Sequence, residues 1–144
     1  MLTGMADREL VGMLRSVSLF KDLSARDLDR LAGNLSERTF APGHEIAVEG
    51  HEGVGFFVIE SGEATVSVGG KEISRLGPGD HFGEFALIDR GRRTATVTAT
   101  SELRCHGMTA WNFRPFVESH AEVAWPLLQT LVARLRDAEA RASG

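Results

Sequence analysis

Between Pro42 and Asp80 the chain is cut by turn-forming pairs into runs too short to be helices. The pairs are Pro42-Gly43, Glu49-Gly50, Ser61-Gly62, Gly69-Gly70 and Pro78-Gly79; each supplies a positive φ or a φ fixed by proline. Between them lie Ile46-Ala47-Val48, Gly55 to Glu60, Ala64 to Val68 and Glu72 to Leu76, all rich in β-branched or aromatic residues. Short strands at regular spacing dictate a sandwich or barrel over residues 36–108. Outside that centre the period changes to 3.6. From Met5 to Asn34 the apolar positions Leu10, Met13, Leu14 and Val17, then Leu28, Leu31, Ala32 and Leu35, predict two short helices over 1–35, with Ser24 as an N-cap before Ala25 and Asp27. After Met108, Trp111, Phe113, Phe116 and Val117 predict one helix, and Leu127, Leu128, Leu131, Val132, Leu135 and Ala138 an amphipathic last one, over 109–144. Ser119 with Glu122 fits a capping box, which would place Pro126 inside that last helix, so the helix starts later or kinks.

The 144 residues suit one domain. A chain of that length buries roughly two-thirds of its unfolded surface, and 42% apolar content is enough to fill a core without staples. Sixteen basic against twenty acidic residues leave a net charge of −4, so no diffuse basic field draws in nucleic acid, and direct nucleic-acid binding is not expected. Cys105 has no second cysteine to pair with and reads as a small buried hydrophobe. With Asp7, Arg8 and Glu9 interrupting the N-terminal apolar residues, no signal peptide or membrane span is expected, and a cytoplasmic, reduced protein is.

The chemistry concentrates between Gly79 and Ala99. From Thr94 to Thr100 threonine alternates with Ala95, Val97 and Ala99, a period-two strand with one apolar face. Extended backwards, that parity turns Arg93 inward and Arg92 toward water. A buried guanidinium is costly without an anion, and its planar fork matches a carboxylate or a phosphate. Glu84 is the local carboxylate. Gly83 lets a backbone amide approach a ligand closely, and Phe85-Ala86-Leu87-Ile88 is long enough for one helical turn whose amides face an anion. Glu84 itself would accept from a sugar hydroxyl and repel a phosphate.

The string Phe82-Gly83-Glu84-Phe85-Ala86-Leu87, followed after a short loop by Arg93-Thr94-Ala95, resembles the phosphate-binding cassette of cyclic nucleotide-binding domains. The helical opening from Leu19-Phe20 to Leu35, and the stretch from Glu49-Gly50 through Phe56-Phe57-Val58-Ile59 to Ser61-Gly62, are similar to the family as well. The resemblance implies a mainly β fold with flanking helices, an eight-stranded jelly-roll barrel with its cassette at 82–95. It also implies that Arg93 pairs with the exocyclic oxygens of a cyclic phosphate and Glu84 with the ribose 2′-hydroxyl, while amides around Gly83, Ala86 and Leu87 complete the cradle. Thr94 stands where cGMP-selective members often carry Thr, cAMP-selective kinase domains Ala and bacterial cAMP regulators Ser, so the ligand is cAMP or cGMP. The family role of Thr94 needs the strand to begin after it. A residue of the last helix covers the base in the family, here near Ala138 and Glu139, with Trp125 a further candidate for base contact.

The resulting expectation is a non-enzymatic cyclic nucleotide sensor with no cofactor, which reports through its C-terminal helices to a protein partner or to a second copy docked on the last helix. Family transcription factors append a DNA-binding helix-turn-helix that this sequence, ending at Gly144, does not show. Two alternatives compete. One is a degenerate interaction module in which Glu84 neutralises Arg93; the other is a cupin-like metal site using His44, His51 or His81, against which stands the missing His-x-His pair.

Overall fold

The computed structural model describes residues 7–48, 50, 55–88 and 93–143, with the side chains of Asp7, Ser18, Phe85 and Ala86 outside that description. Helix α1 (Asp7–Arg15) and helix α2 (Ala25–Ala32) flank a 3₁₀ turn at Ser18–Phe20. The Ser24 hydroxyl caps α2 by accepting from the Asp27 amide at 3.1 Å, the local bond that the sequence predicts.

Eight strands follow: β1 (Ser36–Phe40), β2 (Glu45–Ala47), β3 (Gly55–Ser61), β4 (Ala64–Val68), β5 (Lys71–Leu76), β6 (His81–Phe82), β7 (Thr96–Ala99) and β8 (Leu103–Thr109). They pair antiparallel as two four-stranded sheets, β1-β8-β3-β6 and β2-β7-β4-β5. The fold is mainly β with flanking helices, and the expectation of a closed eight-stranded barrel is corrected. Among the described residues no ladder joins the two sheets, and β6, two residues long, pairs with β3 alone.

The β1-β8-β3-β6 sheet is covered on both faces, and the apolar run Phe56-Phe57-Val58-Ile59 in β3 follows from that. One face carries Phe56, Val58 and Met108 into a cluster with Leu14, Phe20 and Leu28 of the N-terminal segment and Phe113, Phe116 and Leu127 of the C-terminal helices. Phe20 meets Phe56 edge to face at 5.5 Å between ring centres. The other face sends Phe40, Ile59, Phe82, Leu103 and Cys105 against Ala47, Ala64, Val97 and Ala99 of the second sheet. Burying each large apolar side chain contributes roughly 1.5–3 kcal/mol.

Helix α3 (Ala110–Ser119) is capped by the Thr109 hydroxyl. Ser119 ends this helix and does not cap the next; a 3₁₀ turn at Ala121–Val123 intervenes and α4 runs Ala124–Ser143. Pro126 therefore falls in the first turn of α4, where its missing N–H has no helical acceptor to lose, and the later start resolves the conflict. No helix among the described residues is long and apolar enough to cross a membrane.

Candidate ligand-binding site

The site begins where β6 ends. Gly83 has φ +83°, and a Cβ there would collide with the Gly55 carbonyl oxygen and lie 2.6 Å from Arg93 Nη1. Only glycine fits, so the residue joins a left-handed backbone to a very close approach. The chain then makes a 3₁₀ turn at Glu84–Leu87, whose Leu87 is buried in the helical cluster while Ile88 stays exposed.

Arg93 does not lie on a strand. β7 starts at Thr96, so the parity argument does not hold back to Arg93; the backbone is instead pinned where the Gly50 amide donates to the Arg93 carbonyl at 2.8 Å. The guanidinium is nevertheless half-buried and lines a cavity of about 390 Å³ at the mouth between the two sheets. Phe40 and Phe57 of one sheet, Ala47 of the other, and Arg38 and His44 complete much of the wall. Nη2 donates to the Gly55 carbonyl at 2.7 Å, whereas the buried Nε has no hydrogen-bond partner among the described residues. No carboxylate among the described residues pairs with Arg93, and burial alone pushes its pKa below the usual guanidinium value. The fork is a desolvated cation facing a cavity, the condition that a ligand anion relieves.

Glu84 takes a different partner from the one the degenerate alternative requires. Its Oε2 accepts from Arg134 Nη2 at 3.1 Å, a contact that reaches across to α4, and its Oε1 lies 3.0 Å from His81 Nδ1. The His81 contact is one of charge proximity, since Nδ1 lacks an aligned hydrogen bond. Burial raises the Glu84 pKa, yet His81 and then Arg134 outweigh it and hold the carboxyl below its ordinary value. Sequence reasoning missed Arg134 entirely: it is 50 positions away and carries no motif.

The remaining predicted residues divide. Phe82 packs in the inter-sheet core with its ring 5.5 Å from Phe57. Thr94 is exposed and Ala95 half-buried on the bend before β7, which does begin irregularly after Thr94. Phe85 and Ala86 contribute backbone to the 3₁₀ turn, their side chains lying outside the described atoms, and Arg92 and His51 are outside the described residues. Trp125, Ala138 and Glu139 are exposed on α4 and do not line the cavity, so the expected base contact is not assembled here. His44 stacks on Phe40 at 5.3 Å, and among the described residues no group of three His, Cys, Asp or Glu side chains is placed to hold a metal ion.

A position that only glycine can fill, the carboxylate that follows it and, ten positions after the glycine, an arginine with no carboxylate partner among the described residues narrow the comparison. A sequence profile described as Cyclic nucleotide-binding domain matches residues 37–120, more than half of the chain. The chain belongs to the cyclic nucleotide-binding domain family. This domain is 38% identical over 95 residues to a cAMP-dependent protein kinase regulatory subunit of Yarrowia lipolytica, covering 65% of the chain and 25% of that protein. It is 29% identical over 129 residues to a CRP-like cAMP-activated global transcriptional regulator of Mycobacterium tuberculosis, covering 86% of the chain and 58% of the regulator. The chain thus spans less than two-thirds of these curated relatives. Among solved structures, the N-terminal domain of a transcriptional regulator from Streptomyces coelicolor superposes with a TM-score of 0.80 at 31% identity, over 90% of this domain and 93% of that chain.

Proposed function

We propose that this domain is a cyclic nucleotide sensor, taking cAMP in preference to cGMP, that reports occupancy through its C-terminal helices and catalyses no reaction. The observation that carries the reading is the half-buried Arg93 guanidinium, its Nε buried and without a carboxylate partner among the described residues, on the wall of a 390 Å³ cavity. A cyclic phosphate would accept from Arg93 and from amides of the turn at Glu84–Leu87, with Gly83 leaving room for the approach. Glu84 would accept from the ribose 2′-hydroxyl, and Phe82, Phe85, Ala86, Thr94 and Ala95 would shape the cassette around it. The names of the Yarrowia and mycobacterial relatives favour cAMP, while a cGMP-dependent protein kinase of Toxoplasma gondii, 39% identical over 92 residues and covering 64% of this chain and 9% of its own, keeps cGMP as the comparator.

Transmission has two physical routes. Leu87 ties the turn to the apolar cluster of α3 and α4, and the Glu84 to Arg134 contact ties the ribose end of the site to α4. A ligand moves the helix only by binding one arrangement more tightly than another. The exposed stripe Leu128, Val132 and Leu135 on α4 offers the surface for a protein partner or a second copy. Titration calorimetry with cAMP and cGMP tests the proposal: binding at micromolar or tighter affinity, abolished in a folded Arg93→Ala variant, supports it. Silence from both nucleotides overturns it and leaves an interaction module.

A further inference from the structure

Glu84 is held from two sides, one oxygen by the helix and the other by the sheet. Arg134 approaches Oε2 from α4, and His81 approaches Oε1 from β6, three residues back across Gly83. His81 stands on a paired strand, opposite the fully buried Val58, and its ring lies 6.1 Å from the Phe56 ring, so the backbone and one ring face are fixed by β3. Its side chain is 25% exposed and that of Glu84 12%, which strengthens a contact of opposite polarity over its value in water. Arg134 sits on a long side chain, 35% exposed, from a helix packed through apolar contacts. The short imidazole is mounted on the sheet, whereas Arg134 reaches over from the helix.

We infer that His81 is a positioning residue for ribose recognition: it fixes Oε1 of Glu84 so that the carboxylate meets the 2′-hydroxyl of the nucleotide in one orientation. The inference rests on the cyclic nucleotide reading above and extends it to a residue outside the Phe82 to Ala95 cassette. His81 does not touch the ligand; it acts through Glu84. A carboxylate hydrogen bond to the 2′-hydroxyl should make cAMP bind roughly ten- to a hundredfold tighter than 2′-deoxy-cAMP. That ratio reads the alignment of Glu84 directly, while general damage to the pocket weakens both nucleotides together and leaves it unchanged.

Calorimetry with cAMP and 2′-deoxy-cAMP on the full chain provides the test. In His81→Phe, which keeps an aromatic ring beside Phe56 and removes the nitrogen that faces Oε1, the ratio should fall below about fivefold. His81→Leu is measured in parallel so that a folding defect in one variant, checked by thermal melting, does not decide the outcome. A ratio unchanged from wild type in folded His81→Phe or His81→Leu overturns the inference and leaves the sensor reading intact. Failure of the wild type to bind cAMP or cGMP overturns the sensor reading, and the inference falls with it.

Discussion

Replacing Arg93 by methionine should act in opposite directions on folding and on binding. Among the described residues the guanidinium makes one hydrogen bond, Nη2 to the Gly55 carbonyl at 2.7 Å, and Nε is buried without a partner. Methionine keeps the apolar stem and removes the half-buried charge. Losing the bond to Gly55 costs about 1 kcal/mol, and relieving the unpartnered Nε returns an amount of the same order, about 1–3 kcal/mol. The net lies between zero and about 2 kcal/mol in favour of methionine. At about 2–4 °C per kcal/mol for a chain of this size, the melting temperature should stay level or rise by up to about 8 °C. Binding should respond otherwise. Two charge-assisted bonds to a phosphate, at about 1.5–3 kcal/mol each, amount to roughly a hundred- to ten-thousandfold in affinity for cAMP. Differential scanning calorimetry and isothermal titration on the same preparations give both numbers. A melting temperature lowered by more than about 8 °C would show that Arg93 is a structural brace, and a tenfold or smaller loss of affinity in a stable variant would refute the assignment of the phosphate to this side chain.

Acid should weaken the Glu84 anchor. Because His81 and Arg134 lower its folded pKa, Glu84 contributes stability that is fully present above its ordinary value of 4.5 and is lost as pH falls through the lowered folded value. The melting-temperature gap between wild type and Glu84→Gln should therefore be full above pH 4.5, narrow below it and close once pH has fallen through the lowered folded value; a gap constant with pH would contradict the ion-pair account. Gly62→Ala should destabilise the fold by about 2 kcal/mol or more in urea, because φ is +92° and a Cβ would press on the Glu102 carbonyl and approach Leu103 Cα to 2.9 Å; a variant as stable as wild type would remove that constraint. Cys105, buried with its thiol pushed up to about 12, should resist iodoacetamide at pH 8 in the native protein and react fully in guanidinium. Rapid native labelling would show that the inter-sheet core opens.

What could be read from the sequence was what is encoded locally. The Ser24 cap, the glycine turns and the cassette from Phe82 to Leu87 depend on neighbours within a few residues, so their spacing carries them. Strand parity points Arg93 inward, and the side chain does reach the cavity, but through a bend that ends before β7 begins at Thr96. The partner of Glu84 was out of reach of any pattern, because Arg134 meets it only after α4 has packed back on the turn. His81 was weighed for metal chemistry on its residue type, whereas its neighbour in space is a carboxylate three positions away. Trp111 shows the limit of periodicity from the other side: its spacing suits core packing, yet it is 58% exposed, because α3 buries the face of Phe113 and Phe116 instead.

A cavity walled by Arg38 and Arg93 should respond to any small oxyanion that fits its mouth, whatever that anion is attached to. If Arg93 holds the nucleotide phosphate as proposed, sulfate and inorganic phosphate in a purification buffer would compete for the same fork, and the apparent strength of a nucleotide would then depend on the solution it is weighed in. Chloride salts with a zwitterionic buffer leave the seat open, and stepwise addition of sulfate gives the occupancy of the guanidinium by competition alone.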